Sequence, residues 1–346
     1  MARHVPKSML LLPYQRAVIK LMGTGLRATM RANTQAVGRA MERVADKRSD
    51  PSGSGDWISG IAFGPAGMRR YRLFRPPGVS HAERRPLLVM LHGCGQDAKS
   101  FALSTRMNRV AARERCFVLY PEQLRQANAQ GCWNWYDTRS GRAYGEAATL
   151  AAMIDQVCRL YPVDSDCIAI AGMSAGASMG ALLVTRYPGR FKALVMQSGI
   201  PPGAAHSPVS AIGAMRGYRT PSAPLALTAW PPLLVIHGAA DLVVSANNGR
   251  AAAEVWAEAA GASAGAGRRV RRGNRREMTV TDFKVKGSTI ATLCEVDDLG
   301  HAWSGGDGRH PFGDAQGPDA SRMIWAFVSR QFNAQRANTV PDRWIA

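Results

Sequence analysis

Short, uninterrupted apolar runs recur along the chain, each followed by a stretch whose apolar residues fall at helical spacing. The runs Pro86-Leu87-Leu88-Val89-Met90-Leu91, Cys116-Phe117-Val118-Leu119-Tyr120, Ile168-Ala169-Ile170-Ala171, Ala193-Leu194-Val195-Met196 and Pro231-Pro232-Leu233-Leu234-Val235-Ile236 are apolar at successive positions. Strands buried on both faces have this pattern. Between them, residues 146–160 place Leu150, Met153, Ile154, Val157 and Leu160 on one helical face. The spacing also predicts helices through Met107, Val110 and Ala112, over residues 247–260, and around Met323, Ile324, Trp325, Phe327 and Val328. The pairs Ile61/Phe63 and Tyr71/Leu73 alternate, which predicts antiparallel edge strands between residues 57 and 75, and Thr289 to Val296 reads as the last strand. The glycine- and arginine-rich run from Gly265 to Glu277 reads as an exposed loop. Buried strands alternating with helices predict an α/β fold, a mostly parallel central sheet with helices on both faces.

The first fifty residues depart from this pattern. Their apolar positions recur at roughly helical spacing, broken at Gly23-Thr24-Gly25, and 10 Lys and Arg stand against 3 Asp and Glu, a net of +7. They read either as helices packed on the main domain or a solvated extension, or as a basic amphipathic segment lying on an apolar or anionic surface. Ser, Gly and Pro then mark a linker at residues 51–56, before a domain over residues 57–335 and a tail at residues 336–346. The apolar run Met9 to Leu12 stops at Pro13 with no small-residue cleavage site, so a secretory signal and a membrane span are not expected, and a cytoplasmic location is favoured over secretion.

Across all 346 residues, 44 basic and 25 acidic residues leave a net charge of +19. That implies attraction to anionic surfaces. No helix-turn-helix, zinc-finger or RNP pattern accompanies it, so nucleic acid is not the expected partner. The six cysteines show no Cys-x-x-Cys spacing and have no histidine at ligand spacing, so no metal site is expected.

The chemistry centres on Gly172-Met173-Ser174-Ala175-Gly176, which follows an apolar strand and leads into a small-residue helix. A strand–turn–helix with serine at its apex is a nucleophile elbow, and side chains at Gly172 and Gly176 would collide where strand and helix approach. The helix start beside Ser174 suits a developing negative charge. Ester hydrolysis through serine needs a base, an acid to orient it and two N–H donors for the oxyanion. Of seven histidines, only His301 follows both the final strand and the other candidates; His4 and His81 precede the sheet core or lie in connecting segments, His206 and His310 sit in Pro/Gly-rich loops, and His92 and His237 come too early. Asp241, just past the strand ending at Ile236, is the expected acid. Asp297 and Asp298 share the loop of His301 and would cramp a triad. The oxyanion donors are expected to be the N–H of Ala175 and, from the loop after the early strand, that of Cys94. A disulfide between Cys94 and Cys132 can join two loops placed around the site, and would argue against a strictly reducing compartment.

Taken together, Leu91-His92-Gly93-Cys94-Gly95-Gln96, Tyr120-Pro121-Glu122-Gln123, Cys132-Trp133-Asn134-Trp135, Gly172-Met173-Ser174-Ala175-Gly176, His237-Gly238 with Asp241, and Gly300-His301-Ala302-Trp303-Ser304-Gly305-Gly306 resemble the short-chain polyhydroxyalkanoate depolymerase family. This esterase group of the α/β-hydrolase superfamily is related to feruloyl and acetyl xylan esterases. The resemblance implies Ser174 as nucleophile, Asp241 as acid, His301 as base, an oxyanion hole beside Cys94 and Ala175, and Trp133, Trp135 and Trp303 lining the substrate groove. It implies no metal or organic cofactor. The expected function is a serine carboxylester hydrolase for poly(3-hydroxybutyrate) or its short oligomers, working inside the cell with residues 1–50 available for association with a storage-granule surface. A feruloyl or acetyl xylan esterase is the alternative within enzymes, and a granule-binding protein with a vestigial site is the alternative outside them.

Overall fold

The computed structural model describes Pro51, residues 53–219, Pro221 and residues 230–339, with side chains to residue 334. The chain divides into two compact units, Met1–Asp50 and Pro51–Ala346. The first lies outside the described residues, as do the helical and surface-binding readings of residues 1–50. The described elements are β1 (Asp56–Gly64), β2 (Gly67–Arg75), β3 (Arg85–Leu91), α1 (Ala98–Thr105), α2 (Met107–Glu114), β4 (Phe117–Pro121), α3 (Arg142–Leu160), β5 (Val163–Met173) and α4 (Ala175–Arg186). After them come β6 (Ala193–Gln197), α5 (Pro208–Met215), β7 (Leu233–Gly238), α6 (Asn247–Ala260), β8 (Ser263–Ala264), β9 (Arg268–Val270), β10 (Met278–Val285), β11 (Ser288–Val296), β12 (Trp303–Ser304), β13 (Gly313–Asp314) and α7 (Ala320–Thr339).

The main sheet runs β1-β2-β4-β3-β5-β6-β7-β11-β10-β8, with β9 paired to β10. From β4 to β11 every neighbouring pair is parallel, while β1, β2 and β10 join antiparallel at the edges. Period-two alternation sorts the apolar runs between two cores. Leu87, Val89 and Leu91 face a core shared with Leu150 and Met153 of α3, Met179 of α4 and Trp256 of α6. Leu88 and Met90 face the other, with Phe101 of α1, Met107 of α2 and Ile324 of α7. Helices therefore cover both faces, the α/β architecture that the pattern predicts.

Several details differ from the sequence expectation. Asp56 is already in β1 rather than in a linker, and α7 continues beyond residue 335 to Thr339. The run from Gly265 to Glu277 contains β9, drawn into the sheet by pairing with β10, a strand whose half-polar pattern hid it. The helix through Met107 is two helices. Arg106 sits between them at φ 55°, and its guanidinium donates to Gly305 O at 2.6 Å and Gly306 O at 3.1 Å. A partner 199 residues away supplies the reason for that break.

Candidate active site

Parallel strands carry their C-terminal ends to one edge of the sheet, where loops converge and ligands bind. Ser174 follows β5 at this edge, Asp241 follows β7, His301 follows β11, and the 92–97 turn follows β3. Ser174 adopts φ 54° and ψ −122°, the strained backbone of a nucleophile elbow. The flanking glycines are required by contact. A Cβ at Gly172 would lie 2.5 Å from Gly176 C, and one at Gly176 would lie 2.1 Å from Leu91 O. This is the collision that the motif predicts.

Asp241 and His301 meet. His301 Nδ1 donates to Asp241 Oδ2 at 2.8 Å, and the Asp241 carboxylate is wholly buried. Its Oδ1 accepts from the amides of Val243 and Val244, both at 2.9 Å. An Asx-type turn thus fixes the carboxylate while the second oxygen orients the imidazole. Burial by itself raises the pKa of Asp241, but the hydrogen bond and charge of His301, the Val244 amide and nearby His237 outweigh it and hold the group below the ordinary carboxylate value. Beneath it, His237 is buried and donates from Nε2 to Val244 O at 2.9 Å, and desolvation lowers its pKa and keeps it neutral.

Ser174 Oγ makes no hydrogen bond with His301 among the described residues. The two are tied through Gln197 at the end of β6, whose carbonyl accepts from Ser174 N at 2.8 Å and whose Nε2 donates to Ala302 O at 3.0 Å. Gln197 is a positioning residue that sequence reasoning missed. Its place, one strand over from the elbow and at a strand's last residue, is the signal that could have found it.

The 92–97 turn lies beside the serine, since a Cβ on Gly93 would be 3.6 Å from Ser174 Cβ. Within this turn the amides of Gly93, Gly95, Gln96 and Asp97 donate to Gln96 Oε1, Gln130 O, Gly93 O and Ser100 Oγ respectively. The amide of Cys94 has no partner among the described residues. Nor does that of Ala175, the first residue of α4, where no intrahelical carbonyl is available. The structure thus leaves unpaired the two N–H groups expected to hold an oxyanion.

A buried polar network fixes the turn. Glu146, 1% exposed, accepts from Asn134 N at 2.9 Å, Asn134 Nδ2 at 2.6 Å and Gln123 Nε2 at 2.7 Å, and faces Arg69 at 3.5 Å. Gln123 N donates to His92 Nε2 at 3.1 Å, and His92 Nδ1 donates to Gly93 O at 2.8 Å. Desolvation lowers the pKa of His92, so it stays neutral in this tautomer. A disulfide joins Cys94 to Cys132, as expected.

Two of the three tryptophans expected in the groove wall are fully buried. Trp133 is fully buried and donates from Nε1 to His92 O at 3.1 Å; Trp303 is fully buried and donates to Ser321 Oγ at 3.1 Å. Trp135, 8% exposed, packs edge-on against Tyr136. Trp133 and Trp303 thus have apolar neighbours enough to bury the ring and a polar partner for the N–H, and they support the turn and the His301 loop from behind. Exposed apolar residues near this edge include Leu242 and Val243 in the turn after Asp241, Phe312, whose ring lies 6.4 Å edge-on from that of His301, and Val209 and Ile212 on α5, whose last residue adjoins that turn through Ser245 N donating to Met215 O at 2.8 Å.

Because Glu146 is buried with four donors around it, removing its carboxylate strands them. Glu146→Ala is expected to cost about 3–5 kcal/mol of stability, read as a shifted urea midpoint, and to lower kcat more than it raises KM because the Cys94 amide loses its support.

Comparisons place this architecture among known proteins. A model of the family described as "Esterase PHB depolymerase" matches residues 69–280, a span that includes Ser174 and Asp241 and stops short of His301. Poly(3-hydroxyalkanoate) depolymerase C of Paucimonas lemoignei is 27% identical over 211 residues, 55% of this chain and 48% of the relative. Feruloyl esterase B of Neurospora crassa is 29% identical over 121 residues, 34% and 40% of the two chains. Acetylxylan esterase A of Emericella nidulans is 24% identical over 166 residues, 47% and 53%. The chain spans about half the length of the curated relatives it matches. Among solved structures, an acetyl xylan esterase from Aspergillus awamori matches with a TM-score of 0.58 at 18% identity, covering 72% of this chain and 94% of that one. A ferulic acid esterase matches at 0.53 and 17% identity, covering 81% and 100%. These likenesses show the α/β-hydrolase fold.

Proposed function

The chain belongs to the PHB depolymerase family of esterases, and from that membership we propose that it is a serine carboxylester hydrolase acting on poly(3-hydroxybutyrate) or its short oligomers. The observation that carries the reading is the buried Asp241 carboxylate bonded to His301 Nδ1 at 2.8 Å, on the sheet edge where Ser174 stands beside the unpaired amides of Cys94 and Ala175.

The chemistry follows from these groups. Asp241 keeps the proton of His301 on Nδ1, so Nε2 is the basic nitrogen. As Ser174 Oγ attacks the ester carbonyl carbon, Nε2 takes the hydroxyl proton, and the carbonyl oxygen gains negative charge that the amides of Cys94 and Ala175 bind. Collapse of the intermediate expels the alcohol, which leaves with the proton from Nε2, and Ser174 is acylated. Water then attacks the acyl carbon, with Nε2 again taking its proton, and the acid is released as that proton returns to Ser174 Oγ.

Polyester rather than polysaccharide is favoured by the apolar rim. Leu242, in the turn that holds Asp241, is 97% exposed, and Val209, 81% exposed, lies on α5, whose last residue adjoins that turn. Such side chains suit a methyl-bearing polyester better than a hydroxyl-rich sugar chain. The acetylxylan and feruloyl esterases among the relatives keep the second reading open. As to place, a disulfide beside the site favours an oxidising compartment over the cytoplasm. Association of residues 1–50 with a granule surface is part of the proposal only for a cytoplasmic enzyme.

The test compares purified protein on amorphous poly(3-hydroxybutyrate), acetylated xylan and a feruloylated sugar. Clearing of the polymer with release of 3-hydroxybutyrate oligomers is expected. Release of acetate or ferulate without clearing assigns the second reading, and hydrolysis of none of the three supports a vestigial site.

A further inference from the structure

A groove outside the catalytic edge has chemistry that ester hydrolysis does not use. Its floor is the sheet itself, at Leu234 on β7, Val280 on β10 and Cys294 on β11, and its walls are α2, α7 and the residues around β9. Its volume, about 600 Å³, is in the range of small-molecule sites. Ser174, Asp241 and His301 do not line it.

The floor and rim differ in chemistry. The floor is apolar, completed by Phe327 of α7, whereas eight arginines and a single carboxylate, Asp319, stand around it. That carboxylate already faces Arg322 at 3.5 Å. Some of the cations are also engaged, Arg268 with Asp282 at 3.2 Å and Arg106 with the carbonyls of Gly305 and Gly306. Arg272, from the segment after β9, and Arg330, on α7, meet no carboxylate among the described residues. So many like charges around one opening repel one another, and an anion relieves that repulsion.

The shape of the charge decides between occupants. Residues 1–50 carry a net +7 and do not complement the rim. A nucleic-acid strand matches the arginines but leaves the apolar floor unused. A guanidinium fork pairs with phosphate oxygens through two parallel hydrogen bonds, and a doubly populated rim of forks suits phosphate better than a lone carboxylate. We propose that this groove binds an anionic phospholipid, one acyl chain lying on Leu234, Val280 and Cys294 and the phosphate held by Arg272 and Arg330. The inference stands independently of the esterase reading.

The probe is lauroyl lysophosphatidylglycerol below its micelle concentration, titrated calorimetrically into the full chain. Saturable one-to-one binding is expected, while glycerol 1-phosphate and monolaurin bind at least about tenfold more weakly. The double variant Arg272→Glu/Arg330→Glu is expected to weaken binding about tenfold or more, with hydrolysis of a soluble ester unchanged. Ala326→Trp, on an exposed position of α7 that lines the groove, fills it from outside the core and is expected to abolish binding. The same charge reversal at Arg159, exposed at the end of α3 on the other face, is expected to have less than a twofold effect. Equal binding of glycerol 1-phosphate overturns the amphiphile, equal binding of monolaurin overturns the phosphate, and equal loss with Arg159→Glu reduces the site to general charge. Full binding by Ala326→Trp places the ligand elsewhere and overturns the proposal.

Discussion

Ser174→Ala is expected to lower kcat on p-nitrophenyl butyrate by about 10⁶ while leaving the protein folded. The size follows from what the hydroxyl does in the proposed reaction. It is the atom that forms the acyl bond, and nothing near it can take its place, because His301 is held toward Asp241 and the Cys94 sulfur is committed to a disulfide. What remains is stabilisation of the oxyanion by the amides of Cys94 and Ala175, which still favours direct attack by water over the uncatalysed reaction by about 10³. The fold is expected to survive because the side-chain oxygen has no hydrogen-bond partner among the described residues and alanine keeps the same Cβ at φ 54°. Thermal unfolding and single-turnover hydrolysis check the two halves. A variant with more than about one hundredth of wild-type kcat removes Ser174 as the nucleophile.

Asp241→Asn is expected to reduce kcat by about 10⁴ with KM little changed. The amide that replaces the carboxylate must present its NH₂ group either to the Val243 and Val244 amides, donor against donor, or to His301 Nδ1, which then carries its proton on Nε2 where the base is needed. The first arrangement sets donor against donor, the second holds the imidazole in the wrong tautomer, and both lose the negative charge that stabilises the imidazolium. The same substitution has a pH signature. The carboxyl of Asp241 is held below its ordinary value of 3.8, so the folded state keeps it charged where the unfolded chain binds a proton. Its contribution to stability is present above 3.8 and is lost as pH falls through the lower folded value. The stability difference between wild type and Asp241→Asn is therefore expected to be full at pH 7 and to shrink as pH falls below about 3.8, measured by urea unfolding across that range. A difference that grows on acidification overturns the assignment of this carboxylate as the charged partner.

Both effects depend on parts that were unequally visible in the chain. The elbow was legible because its requirements are local: an apolar strand, a helix of small residues, and glycines at 172 and 176 where backbones touch. Asp241 and His301 could be singled out because each directly follows a strand and the chain order is one-dimensional information. The groove tryptophans could not be placed. Trp133 and Trp303 lie in loops without periodicity, so nothing local says whether a ring faces solvent or is buried against His92 and Ser321. Glu146 on α3 reads as an ordinary polar position, and Gln123 past β4 as the end of a motif with no stated role, until both are found supporting the turn that carries Cys94. The arginines of residues 268–276 read as a solvated loop, and only the structure, with β9 paired antiparallel to β10, shows Arg268, Arg272 and Arg275 lining a groove.

By itself, the sequence determined the alternation of buried strands and helices, the resulting parallel sheet, and the positions after strands from which catalytic side chains could come. These follow from side-chain periodicity and backbone sterics within a few residues. The tertiary structure alone decided that His301 Nδ1 meets Asp241 at 2.8 Å, that Gln197 links Ser174 to Ala302, and that the amide of Cys94 is left unpaired while its neighbours are not. The reason is physical. Exposure and hydrogen-bond satisfaction belong to groups brought together from distant parts of the chain, and no local pattern records which groups those will be.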